Sequence, residues 1–149
     1  MSTLIDRLSK LDAPDREVDA EIAFATGHFD YKLKYGFENC RIERGQNRTN
    51  DWVEVFVKDK GTLIYSEPYP HVTASVDAAI ALAERVLPGW TFEHIGQDYI
   101  RARGLDNDVM PMGWTVEISD GSQTIQGQAP TLPLAICIAL LRAKEASKL

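Results

Sequence analysis

Apolar residues recur at helical spacing in four stretches of the chain and alternate with polar ones in several others. Leu4, Leu8 and Leu11 fall at i, i+4 and i+7 with Ile5 beside them, which predicts a first helix over residues 3–11. Asp12-Ala13-Pro14-Asp15 then interrupts the stripe. Val18, Ile22 and Ala25 line a second helix, with Pro14 suited to its first turn. Asp15 and Glu17 place negative charge at the positive end of its dipole, and Gly27 stops it. The clearest helix spans residues 75–87, with Val76, Ala79, Ile80, Ala83 and Leu87 on one face and Thr73 or Ser75 as its cap. Pro88-Gly89 ends it. A closing helix covers residues 133–146, with Leu134, Cys137, Ile138 and Leu141 on its apolar face.

Between the helices the period shortens to two. Trp52-Val53-Glu54-Val55-Phe56-Val57 is rich in β-branched and aromatic residues, Asp59-Lys60-Gly61 turns the chain, and Thr62-Leu63-Ile64-Tyr65 returns. That reads as a hairpin, ended rigidly by Pro68-Tyr69-Pro70. Residues 90–94, 99–103, 114–118 and 122–127 read as a four-strand meander, with Asp120-Gly121 as the last turn. Tyr31-Lys32-Leu33-Lys34-Tyr35 alternates briefly, but residues 28–50 otherwise lose the pattern and read as an exposed, variable excursion in a single domain over residues 1–149. Residues 73–82 echo residues 131–140 weakly, as two segments that each pack a helix on a sheet. The grouping of elements predicts an α+β fold, an antiparallel sheet with helices packed on it. Few strands are apolar throughout, which argues against a parallel, doubly buried sheet.

Composition changes this picture little. At 149 residues the chain suits one domain, and its 44% hydrophobic and 26% charged residues are ordinary for a globular protein. The formal net charge of −6 argues against broad binding to DNA or RNA, which needs a basic face. The N-terminal residues show no basic stretch followed by an apolar core, and the longest apolar run, 132–141, contains Pro133. A cytoplasmic protein with no membrane segment is therefore expected. Cys40 and Cys137 form no Cys-x-x-Cys pair, and Cys137 lies among Ile136, Ile138 and Leu140 as a buried thiol.

Four segments taken in order resemble a known family. They are Pro14-Asp15-Arg16-Glu17-Val18-Asp19-Ala20, Thr73-Ala74-Ser75-Val76-Asp77-Ala78-Ala79, Pro88-Gly89-Trp90, and Leu134-Ala135-Ile136-Cys137-Ile138-Ala139-Leu140-Leu141-Arg142-Ala143. Together they resemble the phage ABA sandwich domain family, over nearly the whole chain apart from residues 28–50 and 104–113. The resemblance implies a helix/sheet/helix sandwich (an α/β/α-type arrangement) encoded by a bacteriophage and working in the cytoplasm of the infected host. It brings no activity and no catalytic residue with it.

Candidate chemistry is sparse. His28, His71 and His94 lack metal-ligand spacing, and Asp106-Asn107-Asp108 lacks the glycine and distal glutamate of a calcium loop. No Gly-rich phosphate loop or nucleophile elbow occurs, so no cofactor, metal or catalytic residue is assigned. Ser66 beside Glu67, or His71 near Asp77, makes no more than a chance pair. Arg101 and Arg103 stand at i, i+2 beside Tyr99, able to grip a phosphate or to pair with Glu93 and Glu117 across the sheet. Tyr65, Tyr69 and His71 gather around two prolines before the helix start at Thr73, where free N–H groups suit an anion. Arg16 marks another helix start, as a ligand-binding residue or as a partner of Asp12 or Asp19. Trp52 is either core edge or stacking surface.

These features favour a non-enzymatic binder of a small anionic or nucleotide ligand, sequestering a signal of host defence and forming a homo-oligomer. Its rivals are a module that blocks a host protein and, third, a nucleotide hydrolase.

Overall fold

The structure is a computed structural model that describes residues 2–29, 40–44, 52–57, 63–101 and 109–147, with backbone alone at 2, 43–44, 52–57, 63–66, 98–101 and 109–112. The first helix, α1 (Ser2–Ser9), buries Leu4, Ile5 and Leu8. The second, α2 (Arg16–Ala25), starts two residues later than the proline suggests. Asp15 is its extended N-cap, and its carboxylate accepts the Val18 N–H at 3.1 Å, so Pro14 precedes the helix instead of opening its first turn. A side-chain acceptor satisfies a donor the helix start leaves unpaired, which proline cannot do. At the other end Gly27 adopts φ 76°, its N–H bonds to the Phe24 carbonyl at 3.3 Å, and the His28 N–H bonds to the Ala23 carbonyl at 3.0 Å. This paired closure ends α2 as its glycine predicts and fixes the backbone of His28 just beyond it. Arg7 pairs with Glu21 across α1 and α2.

Strands β1 (Cys40–Arg44), β2 (Trp52–Val57) and β3 (Leu63–Pro68) form an antiparallel sheet in that order. The expected hairpin of β2 and β3 is present, with Val55 opposite Tyr65. Its turn at 59–61 and the alternating stretch at 31–35 lie outside the described residues. The excursion at 28–50 differs from the reading of an exposed segment: Phe29 and Cys40 are buried, and β1 pairs along β2 from Cys40 opposite Val57 to Arg44 opposite Val53. Cys40-Arg41-Ile42-Glu43-Arg44 does alternate, but five residues among many polar ones make a weak period.

The third helix, α3 (Val76–Val86), is capped by Ser75, whose hydroxyl accepts the Ala78 N–H at 3.1 Å. Then β4 (Thr91–Arg101), β5 (Val109–Ser119) and β6 (Thr124–Ala129) make a second antiparallel sheet. The four-strand meander is thus three-stranded. What reads as two strands, 90–94 and 99–103, is one strand of 11 residues carried through Gly96. β5 begins at Val109, inside the loop expected at 104–113, and its pairing with β4 shifts register at Phe92/His94 and at Asp98/Tyr99.

One face of this sheet carries Phe92, Val116, Ile118, Ile125 and Ala129 into the main core. The opposite face carries Thr115, Glu117, Gln126 and Gln128, where Gln126 donates to Glu117 and Gln128 donates to Thr115. The last helix, α4 (Leu132–Ala146), lies on the apolar face and is buried on nearly every side, from Leu134 through Leu141 and again at Ala143. The single apolar face expected for it is too narrow a reading, because α4 meets the sheet on one side and α1 and α3 on others. Its approach to the sheet is set by Gly127. A Cβ there would sit 2.5 Å from Ala139 N and closer still to the Ala135 carbonyl oxygen. The fold is α+β, with helices packed on antiparallel sheet. Among the described residues no helix is long and apolar enough to cross a membrane.

Candidate functional site

The link from β3 to α3 is held by a buried carboxylate. Asp19 of α2 is fully buried, and its Oδ1 accepts both the Thr73 N–H at 2.8 Å and the Thr73 hydroxyl at 2.7 Å. Its Oδ2 accepts from Arg16 Nη1 at 2.8 Å, and Arg16 Nη2 donates to the Tyr69 carbonyl at 3.0 Å. Thr73 Oγ1 in turn accepts the Asp15 N–H at 2.9 Å. Three donors on one buried carboxylate compensate the removal of its charge from water. Cys137 Sγ donates to the Val72 carbonyl at 3.3 Å, tying the same link to α4. Burial, with Asp19 nearby, pushes the Cys137 thiol up, so it stays protonated and is not a nucleophile.

This arrangement turns two sequence candidates inward. Arg16 binds Asp19, the structural alternative named for it, and Thr73 is 1% exposed. Tyr69 is also 1% exposed, and its ring packs edge-on against Phe24 and Phe29, with centroids 6.0 and 6.2 Å away. Thr73 and Tyr69 are buried in the link, Arg16 keeps 27% of its side chain exposed, and Tyr69 also borders the hollow beside the link.

Beside the link lies an open hollow of about 650 Å³, bordered by His28, Glu67, Pro70, His71, Ser75 and Arg85. A smaller recess of about 220 Å³ shares His28, Pro70 and Arg85 and reaches Ala81 and Leu82. His71 is exposed at the rim, on the link pinned by Thr73. Arg85 comes from the last turn of α3 and His28 from the closure after α2. Arg85 Nη1 lies 3.3 Å from His28 Nδ1. A guanidinium has no acceptor, so as a hydrogen bond this contact has Arg85 Nη1 donating to a lone pair on His28 Nδ1. The hollow therefore gathers a permanent cation, two imidazoles and one carboxylate. That set can hold an anionic group by charge-assisted hydrogen bonds.

Trp52 opens β2 opposite Pro68, Tyr65 stands in β3, and Tyr99 and Arg101 close β4 opposite Pro111 and Val109. The side chains of these four lie outside the described residues, as do Arg103 and 106–108. His94 stands on β4, its ring close over Gly96. Among the described residues no three His, Cys, Asp or Glu side chains gather as a metal site. A second crevice of about 230 Å³, lined by Leu87, Trp90, Phe92 and Ile118, is largely apolar.

Sequence reasoning did not single out Arg85 and did not bring Glu67 and His28 to one hollow. His28 and Arg85 are 57 positions apart and share no local motif. No protein-family model, no curated protein and no solved structure matches the chain.

Proposed function

We propose that the chain is a non-enzymatic binding protein for a small anionic ligand of nucleotide type, held in the hollow between the end of α2, the 69–75 link and α3. The observation that carries this reading is that Arg85, His28 and His71 border one open hollow beside a link held by Asp19. A fixed concavity with a few convergent polar groups is what small-ligand binding requires. Arg16 and Thr73 support it from behind, as holders of the link. The resemblance to the phage ABA sandwich family supplies a setting: a phage-encoded binder of this kind would sequester a nucleotide-type signal of the infected host. A homo-oligomer would close the open side of the hollow.

The test is thermal stabilisation by cyclic mono- and dinucleotides and ADP-ribose derivatives, on the wild type and on Arg85→Ala. A ligand at a hundred times its Kd adds about 2.7 kcal/mol, or roughly 5–10 °C in Tm for a domain of this size. The stabilisation is expected in the wild type, lost in Arg85→Ala, with the ligand recovered unchanged after denaturation. No shift with any nucleotide, or an equal shift in the variant, overturns the reading. A chemically altered ligand would make the protein a hydrolase, and a stable complex with a host protein without ligand would make it an interaction module.

A further inference from the structure

We infer that anion capture in the hollow is coupled to protonation of His28, so that a tetrahedral oxyanion binds more tightly as pH falls. This rests on the reading of the hollow as an anion site. The Arg85–His28 contact, at 3.3 Å, requires a lone pair on His28 Nδ1. Adding a proton there replaces a hydrogen bond by two adjacent cations. An oxyanion placed between them removes the repulsion, because it accepts from the guanidinium on one side and from Nδ1–H on the other. Proton and anion then enter together.

The surroundings balance His28 between its two states. Arg85 from α3 opposes the added charge, and so does His71 on the link whenever it is protonated. Glu67 at the end of β3 favours the charge, as do the last carbonyls of α2, because His28 follows directly on that helix end. The Phe29 ring lies edge-on to the imidazole, with centroids 4.7 Å apart, and contributes no charge. The main chain that carries the imidazole is fixed, since the His28 N–H is bonded to the Ala23 carbonyl at 3.0 Å.

Sulfate is the suitable probe, because its charge is constant between pH 5 and 8 while that of phosphate is not. Its Kd is measured by calorimetry across that range for the wild type, His28→Gln and His71→Gln. The His28 ring proton is followed by NMR with and without sulfate. The expected wild-type Kd falls by up to about tenfold per pH unit on acidification, the limit for one proton taken up per anion. That slope persists in His71→Gln and vanishes in His28→Gln, and sulfate raises the His28 titration midpoint. Sulfate binding with a flat pH profile, or an unmoved His28 midpoint, overturns the coupling and leaves the anion site standing. A slope kept in His28→Gln also overturns it. If neither sulfate nor any nucleotide binds at any pH, the site reading itself falls.

Discussion

Asp19 and Thr73, 54 positions apart, meet on a single carboxylate oxygen that accepts both the N–H and the hydroxyl of Thr73, at 2.8 and 2.7 Å. The contact joins α2 to the link before α3, the link that supplies Tyr69, Pro70, His71 and Ser75 to the border of the hollow. Asp19→Ala removes the acceptor of Arg16 Nη1 and of the Thr73 N–H and leaves the Thr73 hydroxyl only the Asp15 carbonyl at 3.3 Å, so it is expected to cost about 3–5 kcal/mol. Thr73→Ala removes one donor and is expected to cost about 1–3 kcal/mol. Asp19→Asn keeps one acceptor oxygen and falls between them. Urea unfolding measures all three, and a loss below about 1 kcal/mol for Asp19→Ala would show that the network holds nothing.

Gly127 is the point where β6 meets the backbone of α4. In Gly127→Ala the new methyl meets Ala135 O and Ala139 N, and neither is a side chain that can swing away. The helix must lift from the sheet, at an expected cost near 3 kcal/mol, the upper part of the range for overpacking. Thermal unfolding tests this. An unchanged Tm would mean that α4 slides freely over β6.

Asp120 closes the turn between β5 and β6. Its Oδ1 accepts the Ser122 N–H, the Ser122 hydroxyl and the Gln123 N–H, at 2.8, 2.8 and 2.9 Å. The Ser122 N–H leads in holding this carboxyl down, to about 2 from an ordinary 3.8. A lowered pKa in the folded state means that the turn gains stability from the ionised form. That gain is complete above pH 3.8 and is lost as pH falls toward 2. Asp120→Ala is therefore expected to lower Tm near neutral pH, with the deficit closing as pH approaches 2. A deficit independent of pH would assign the effect to backbone preference instead.

Both thiols are shielded: Cys40 is 5% exposed and Cys137 fully buried. Native protein is expected to leave a colourimetric disulfide reagent unreacted at mildly alkaline pH, and the two cysteines are expected to react fully once urea unfolds the chain. Rapid reaction of the native protein would contradict the packing of Cys137 against Val72.

What the sequence made legible is local. Ser75 caps α3 and Gly27 ends α2 because each acts within a few residues of itself. The hairpin of β2 and β3 follows from two apolar runs and a short gap. Long-range facts were not legible. Asp19 reads as one more acidic residue in a first helical turn, and only its meeting with Thr73 shows it as a buried anchor. Arg85 reads as a solvent residue on a polar helix face until His28 arrives beside it. The continuous β4 was hidden because Gly96 and the polar residues around it resemble a break. Arg16 and Thr73, the candidates at two helix starts, both donate to the chain's own carboxylate, Asp19.

The near-complete burial of α4 has a consequence for biogenesis. Until residues 132–146 have left the ribosome, the apolar side of β5 and β6 has nothing to rest on, and Leu8, Ile118 and Val116 stay wet. Elongation at about 5–20 residues per second thus leaves a half-made sheet waiting on its keystone. The main core is complete only when this last helix has docked.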